Sequence, residues 1–348
     1  MSFVADIAGR AASLAPRLTD VPSRVAADAS PTAQLVQQIH ATRDPMTQGA
    51  LLRDLDVLSG GRAQSEALLD RAAPTRLATP DGGGAAKGPR FDRSDLFGAS
   101  GKPQLADIQQ SAFGDCYYVA TLGAVAKQSP GTIRQAIDYN PSTQTFSVRL
   151  HDSNGRARTI EVTQAEIANN IAMGGGSRRD NGLANAPIWP DVMEVAYAKM
   201  LDTNHADGLG QGYTDLGDGG WPKDGMEAVT GREGSEIKYD KSWLIESKSH
   251  AMDEVGNAAR DALRNGKPVT LWSVPESAVA AQDGLADNHV YTVTSVYKDK
   301  NGDWQVQLRN PWSSNMVGEG YDKPGAYITV PLERLVDTGG MNSMRVGQ

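Results

Sequence analysis

The chain has 348 residues, with 34 Lys and Arg against 42 Asp and Glu, so its formal net charge is −8. That length predicts about two domains with a sizeable hydrophobic core, and the acidic balance argues against a chain that coats nucleic acid or an anionic membrane. A single cysteine excludes an internal disulfide and any site built from several thiolates, and no apolar run reaches the roughly 18 residues of a membrane span.

Residues 1–90 differ in composition from the rest of the chain. Phe3 is their only aromatic residue, and a segment without aromatic side chains buries little area to offset the entropy lost on ordering. We therefore predict an N-terminal extension over 1–90, partly helical or disordered, that ends in a glycine-rich linker at 81–88. Met1–Pro16 lacks the basic start of a Sec signal peptide, which leaves two alternatives: a cytoplasmic protein, or export through an uncleaved N-terminal signal.

From residue 91 onwards the pattern is that of an α+β protein. Apolar spacing predicts helices over 116–128 and about 190–200, and alternation predicts a hairpin around the turn at Ser153-Asn154-Gly155. Three more strands are predicted at 269–272, 290–297 and 304–308. Early helices and late antiparallel strands favour two lobes separated by a cleft, which we place at 91–230 and 231–348.

The only cysteine stands at the start of a predicted helix, a position that makes its thiol more acidic. Cys116 opens the first predicted helix directly after Gly114 and Asp115, and the unpaired N–H groups at a helix N-terminus favour the thiolate over the thiol. Gln110 lies six residues upstream, so its amide could fold back towards the sulfur. Together with the backbone N–H of Cys116, that amide would form an oxyanion hole for a tetrahedral intermediate.

A nucleophilic thiolate needs a base from elsewhere in the chain. His289 stands immediately before a predicted strand, and a side chain on a rigid sheet can be aimed across a cleft. Asn310 follows 21 residues later at the end of the next strand, so the two side chains can be neighbours across a hairpin. Asn310 would then accept from the imidazole N–H, and Trp312 would shield that hydrogen bond from water. The other histidines lie in the extension, at a turn or in polar sequence.

These residues carry a resemblance to a known family. The segment Gln110-Ser-Ala-Phe-Gly-Asp-Cys116-Tyr-Tyr-Val-Ala resembles the nucleophile motif Q-G-x-x-G-D-C-W-L-x-A of the calpain family of papain-like cysteine proteases. Residues 288–293 resemble its G-H-A-Y-S-V, and residues 308–312 match its L-R-N-P-W. Residues 188–199 and 224–231 resemble two further blocks, F-W-S-A-L-L-E-K-A-Y-A-K and E-G-F-E-D-F-T-G.

The resemblance implies a calpain-like cysteine endopeptidase that cleaves protein or peptide substrates. It implies Cys116 as the nucleophile, His289 as base and acid, Asn310 as the residue that orients the imidazole, and Gln110 as the oxyanion donor. It also implies a two-lobed core with the joint near Gly231, in a short form without EF-hand or C2-like domains.

Departures from the family pattern bear mainly on calcium. Calcium-dependent members bind one ion in each lobe, and Asp107 matches one carboxylate ligand. However, Pro187 stands where a companion acid is expected, and a hard cation needs several oxygen ligands. We therefore expect no required cofactor and no calcium activation, with Asp107 as the single candidate ligand. Tyr117 and Ser111 also replace a family Trp and Gly.

Two other functions use the same residues differently. A papain-fold transglutaminase or deamidase would act on glutamine side chains, but such relatives commonly orient their histidine with Asp, so Asn310 favours the protease. A catalytically silent module could bind a partner, with the extension as the docking segment. The presence of Gln110, Cys116, His289 and Asn310 together argues against such a module. Neither alternative requires a nucleic-acid partner.

Overall fold

The computed structural model describes residues 90–179, 183, 185–203, 209–239, 248–273, 285–286, 288–316, 322–323, 325–337 and 341–348. All of them belong to one compact unit, Lys87–Gln348. Apart from Arg90, the predicted extension over 1–90 and its linker lie outside the described residues, and the division at 230/231 stays a prediction.

The first part of the described chain places helices around a small antiparallel sheet. Its helices are α1 (Arg93–Phe97), α2 (Cys116–Gln128), α3 (Pro130–Ala136), α4 (Gln164–Met173), α5 (Trp189–Leu201), α6 (Gly210–Gly217) and α7 (Pro222–Thr230), with short 3-10 turns at Gly98–Ser100 and Leu105–Asp107. Its strands are β1 (Ile137–Asn140), β2 (Thr145–His151) and β3 (Ala157–Val162), in the order β1-β2-β3.

The second part is dominated by a six-stranded antiparallel sheet. Its elements are β4 (Ser235–Ile237), α8 (Lys248–Arg264), β5 (Val269–Ser273), β6 (Val290–Lys298), β7 (Trp304–Arg309), β8 (Asn315–Met316), β9 (Asp322–Lys323), β10 (Tyr327–Pro331), α9 (Leu332–Asp337) and β11 (Met341–Val346). The strand order is β10-β7-β6-β5-β11-β4, and β8 pairs separately with β9. The predicted α+β class is confirmed, and the strands predicted in this part are found within one residue of their predicted ends.

The helix that opens at Cys116 is buried on every side. Residues 117–126 are all buried, although the sequence predicted a single apolar face, because α2 packs against α7 on one side and against β6 on the other. A helix enclosed in this way holds its first residue in a fixed position relative to both parts of the fold.

The two predicted hairpins form around turns that their residues favour. In the β2–β3 hairpin Phe146 pairs with Val162 and Val148 with Ile160, which keeps the apolar side chains on one face. In the β6–β7 hairpin Asp299 accepts from the backbone N–H of Asn301 at 2.8 Å. This Asx-type turn joins the two strands on which His289 and Asn310 are mounted.

Helix α8 was not predicted, although the sequence carries its signal. Ala251, Val255, Ala259 and Ala262 recur at helical spacing, and all four are buried. The helix packs against the β6 side of the large sheet. Within the described segments, no helix is both long enough and apolar enough to cross a membrane.

Hydrophobic contacts join the two parts beside the start of β6. One apolar cluster includes α2, α5 and the β1–β3 sheet, and a second is formed by α8 and the large sheet. Val290 of β6 belongs to the first cluster, and Trp272 of β5 packs against it. Thr292 Oγ1 also donates to the Ala120 carbonyl at 2.7 Å. The strand that follows His289 is therefore anchored to the helix that begins at Cys116.

Candidate active site

The turn before Cys116 packs closely against the backbone at Gly217. A Cβ at Gly114 would collide with the carbonyl oxygen of Gly217, so this position requires glycine. Asp115 occupies the N-cap position of α2, yet its side chain makes no capping hydrogen bond and is fully buried. The chain thus delivers Cys116 to the helix N-terminus through a tightly packed turn.

Cys116 lies directly beside the start of β6. The backbone N–H of Val290, the residue after His289, donates to the thiol. Solvent reaches part of the Cys116 side chain, but its surroundings are dense enough that burial raises the thiol pKa to about 12. The Val290 N–H pulls this pKa down, and the Asp115 charge raises it.

The sequence predicts that the helix N-terminus favours a thiolate at Cys116, whereas burial in the folded protein raises the pKa of this thiol. Burial penalises the charged sulfur more than the helix N-terminus and the Val290 N–H favour it. The direction of this pKa shift favours the neutral thiol over the thiolate at Cys116.

The structure brings His289 and Asn310 into contact across paired strands. His289 Nε2 lies 2.9 Å from Asn310 Oδ1. The same oxygen accepts from the backbone N–H of Trp312 at 3.0 Å, and a backbone N–H can only donate, so the atom facing both groups is an acceptor. Nε2 must therefore carry the imidazole proton, which leaves Nδ1 with a lone pair.

Aromatic rings enclose the imidazole. The Trp312 ring stacks on His289 with centroids 4.0 Å apart, and Tyr291 meets it edge-on at 4.9 Å. Burial lowers the pKa of His289 to about 4, while the Asn310 hydrogen bond raises it. The resting imidazole is neutral, which is the state that a general base needs.

Residues with left-handed backbone conformation lie next to His289 and Trp312 in the chain. Asn288 has φ +47° and Ser313 has φ +61°, and the family motifs quoted above have Gly at the position before the histidine. Asn is among the residues that tolerate this region best, and its Oδ1 accepts from Trp272 Nε1 at 3.2 Å. The strained residue next to His289 is thereby held by a side-chain hydrogen bond.

Gln110 lies at the site, but its amide is turned differently from the prediction. Nε2 donates to the Phe113 carbonyl at 2.8 Å and to Asp115 Oδ1 at 3.2 Å, so both of its hydrogens are engaged. The backbone N–H of Gln110 donates to the Pro311 carbonyl at 2.9 Å. The residue therefore ties the Asn310-Pro311-Trp312 segment to the turn before Cys116.

Arg309 belongs to the segment that matches L-R-N-P-W, and the motif alone indicates no role for it. Its guanidinium is buried and donates to the Ile108 carbonyl at 2.6 Å and to Ser313 Oγ at 3.0 Å. Burial lowers its pKa to about 10, so it stays cationic at neutral pH. Charge-assisted hydrogen bonds from Arg309 thus hold the segment before Gln110 against the β7 end.

Asp107 is buried and already has donors. Its Oδ2 accepts from Trp189 Nε1 at 2.7 Å and from the Gln104 N–H at 2.8 Å. Burial raises the pKa of this carboxyl, and the same two hydrogen bonds lower it. Across the part of the chain that the structure describes, no three His, Cys, Asp or Glu side chains come together as a metal site.

Comparison with known proteins places these residues within a family. The profile of calpain family cysteine proteases matches residues 92–322, and the chain therefore belongs to this family. It is 27% identical to calpain-13 of Rattus norvegicus over 216 residues, which cover 60% of this chain and 29% of that protein. It is 23% identical to a thiol protease of Porphyromonas gingivalis over 237 residues, which cover 64% of this chain and 48% of that one. The chain thus spans less than half the length of these two relatives.

Proposed function

We propose that this chain is a cysteine endopeptidase that cleaves peptide bonds through Cys116 and His289. The observation that carries the proposal is the hydrogen-bond pattern of Asn310, which assigns the proton to Nε2 of His289 and leaves Nδ1 free to accept another. The hydrogen bond from the Val290 N–H to the Cys116 thiol supports it, because it brings the thiol to the backbone of the residue that follows His289.

The reaction begins with a neutral pair. As the Cys116 sulfur attacks the carbonyl carbon of the substrate, its proton passes to Nδ1 of His289, and the thiolate character develops only then. The imidazolium next gives that proton to the leaving amine, and the C–N bond breaks to leave a thioester. Water then attacks the thioester, with His289 again as the base, and releases the acid product and the thiol.

The oxyanion of each tetrahedral intermediate needs donors. The backbone N–H of Cys116 at the start of α2 is one candidate, and Gln110 Nε2 is the other. Gln110 can serve only if the oxyanion replaces one of its present acceptors. The bond to Asp115 is the longer of the two, so it is the one that we expect to be exchanged.

A chemical labelling experiment tests this function directly. Because the chain contains one cysteine, iodoacetamide modifies a single known thiol, and we expect loss of casein hydrolysis to follow the label to one equivalent per chain. Hydrolysis that survives full alkylation would contradict the proposal. Ammonia release from glutamine peptides without chain cleavage would identify the transglutaminase or deamidase chemistry instead, and the absence of both activities would indicate a binding module.

The pH–rate profile follows from the direction of the His289 pKa shift. A histidine whose pKa lies below its usual value near 6.5 stays neutral into mildly acidic solution. We expect kcat/KM for a soluble peptide to be retained below pH 6.5 and to be lost as the pH falls towards about 4, where the imidazole takes up a proton and can no longer act as a base. An acid limb at or above pH 6.5, with the fold intact by circular dichroism, would contradict this environment.

We also propose that catalysis needs no calcium. Asp107 Oδ2 already accepts from two donors. The Arg309 guanidinium, rather than a metal ion, connects the end of β7 to the Ile108 carbonyl. We expect a chelator to change kcat/KM by less than about twofold. If calcium bound the folded protein, it would stabilise the fold by about 2.7 kcal/mol at 100 times its Kd and so raise the Tm. Because we expect no such binding, added calcium should leave the Tm unchanged. Calcium-dependent activity that is lost in Asp107→Asn would overturn this expectation.

A further inference from the structure

Two buried carboxyl groups lie next to the nucleophile, and the residues that the structure describes place no cation against either of them. Asp115 and Glu194 are both fully buried, at 0% exposure. Within the described residues neither forms an ion pair, and two carboxylates in contact away from water cannot both be ionised. They lie on different elements, at the N-cap of α2 and within α5.

Each group has one oxygen that is satisfied and one that is not. Glu194 Oε2 accepts from Asn170 Nδ2 at 2.7 Å and from the Gly176 N–H at 3.0 Å, and Asp115 Oδ1 accepts from Gln110 Nε2 at 3.2 Å. The remaining oxygens, Glu194 Oε1 and Asp115 Oδ2, are buried without any donor in the described part of the chain. The two side chains are in hydrogen-bonding contact, so one proton between these oxygens would satisfy both.

We propose that Asp115 and Glu194 share a single proton at neutral pH, and that this acid pair positions Gln110 for the reaction. The inference deepens the function proposed above and rests on it for the role of Gln110. Glu194 acts only through Asp115 and is a positioning residue, since its hydrogen bonds among the described residues are with Asp115, Asn170 and the Gly176 N–H and include neither the thiol nor the imidazole.

The groups that face the pair agree with a retained proton. Those among the described residues come from several elements and none of them is cationic: Cys116, Tyr117 and Tyr118 on α2, Asp191 and Tyr197 on α5, and Tyr213 on α6. Burial raises the pKa of both carboxyls, and the Asp115 charge raises that of Glu194 further. The shared proton limits the charge of the Asp115–Glu194 pair to −1. It also weakens Asp115 as an acceptor, so that the 3.2 Å bond to Gln110 can be given up to an oxyanion.

Infrared spectroscopy of the full chain tests the shared proton without any activity assay. We expect a carbonyl stretching band of a protonated carboxyl at neutral pH in the wild type. Glu194→Gln should lose that band, because its amide donates to Asp115 without a titratable proton. Asp115→Asn should lose it as well, because its amide donates to Glu194. The matched control is Glu254→Gln, an exposed carboxyl on α8, which should keep the band. Absence of the band in the wild type, or its survival in Glu194→Gln, would overturn the proposal.

The same proton predicts a pH dependence of stability. A carboxyl whose pKa is raised in the folded state contributes stability below its unfolded pKa and loses it as the pH rises through the folded pKa. Burial raises the folded-state pKa of both carboxyls, so the Tm of the wild type should fall more steeply than that of Glu194→Gln as the pH rises above the ordinary range of carboxyl pKa values. Parallel Tm curves would overturn the shared proton even if the chain proves to have no protease activity.

A double-mutant cycle separates positioning from general support of the fold. Gln110→Ala should lower kcat by about 10²- to 10³-fold, as loss of one oxyanion donor does. If Glu194 acts through Gln110, adding Glu194→Ala to Gln110→Ala should lower kcat no further, although Glu194→Ala alone lowers it by about tenfold or more. Glu194→Gln should recover much of the loss seen in Glu194→Ala. If the fold-losses in kcat of the two single variants multiply in the double variant, Glu194 does not act through Gln110 and the positioning role is overturned. The infrared experiment then still tests the shared proton by itself.

Discussion

Replacing Cys116 with alanine is expected to reduce casein hydrolysis to the background rate. Removal of the nucleophile from a hydrolase whose residues act as a unit costs on the order of 10⁶-fold in kcat, and the chain has no second thiol to substitute for it. The fold should survive, because Cys116 is only partly buried and truncation at such a site costs about 1 kcal/mol of unfolding free energy. The measurements are peptide release and Tm on the same preparations.

Two matched variants separate chemistry from packing in this experiment. Cys116→Ser keeps a group that can accept from the Val290 N–H, yet a hydroxyl is a far weaker acid than a thiol, so we expect it to be inactive with a near-native Tm. His250→Ala changes an exposed histidine on α8 and should retain wild-type activity. Residual peptide hydrolysis by Cys116→Ala above that of a mock preparation would exclude Cys116 as the nucleophile.

What the sequence predicted well was local. The helix at Cys116 begins where Gly114 and Asp115 end an irregular segment, and the β2–β3 hairpin follows from alternation around Asn154-Gly155. The pairing of His289 with Asn310 followed from their separation along two strands joined by a short turn. Each of these depends on residues close together in sequence, whose preferences can be read directly.

What the sequence missed depends on distant packing. Glu194 lies in an amphipathic-looking helix where a glutamate is ordinarily solvated, and only the burial of α5 turns it into a buried acid beside Asp115. The raised pKa of the Cys116 thiol likewise reflects burial in the folded protein, which spacing along the chain cannot measure. The hydrogen bond from Arg309 to the Ile108 carbonyl joins residues 201 positions apart, and no periodic pattern in the sequence predicts such a contact.

Asn310 offers the sharpest test of how the imidazole is held. In Asn310→Ala nothing fixes the proton on Nε2 of His289, so the tautomer that cannot accept from the thiol becomes populated and the ring loses its orientation. We expect kcat to fall by about 10²- to 10⁴-fold, with a smaller change in KM because Asn310 is fully buried and has no exposed surface for substrate. The variant also leaves the Trp312 N–H without its acceptor, so its Tm should fall too.

Asn310→Asp distinguishes orientation from stability. The carboxylate keeps an acceptor for Nε2 and for the Trp312 N–H, so the tautomer is preserved. A negative charge beside the ring favours the imidazolium and raises the His289 pKa, which should move the acid limb of kcat/KM to higher pH than in the wild type. Burying that charge costs stability, so this variant should combine a lowered Tm with more activity at neutral pH than Asn310→Ala. If Asn310→Asp were instead as slow as Asn310→Ala, with an unmoved acid limb and an intact fold, then Asn310 would not be the residue that sets the protonation of His289.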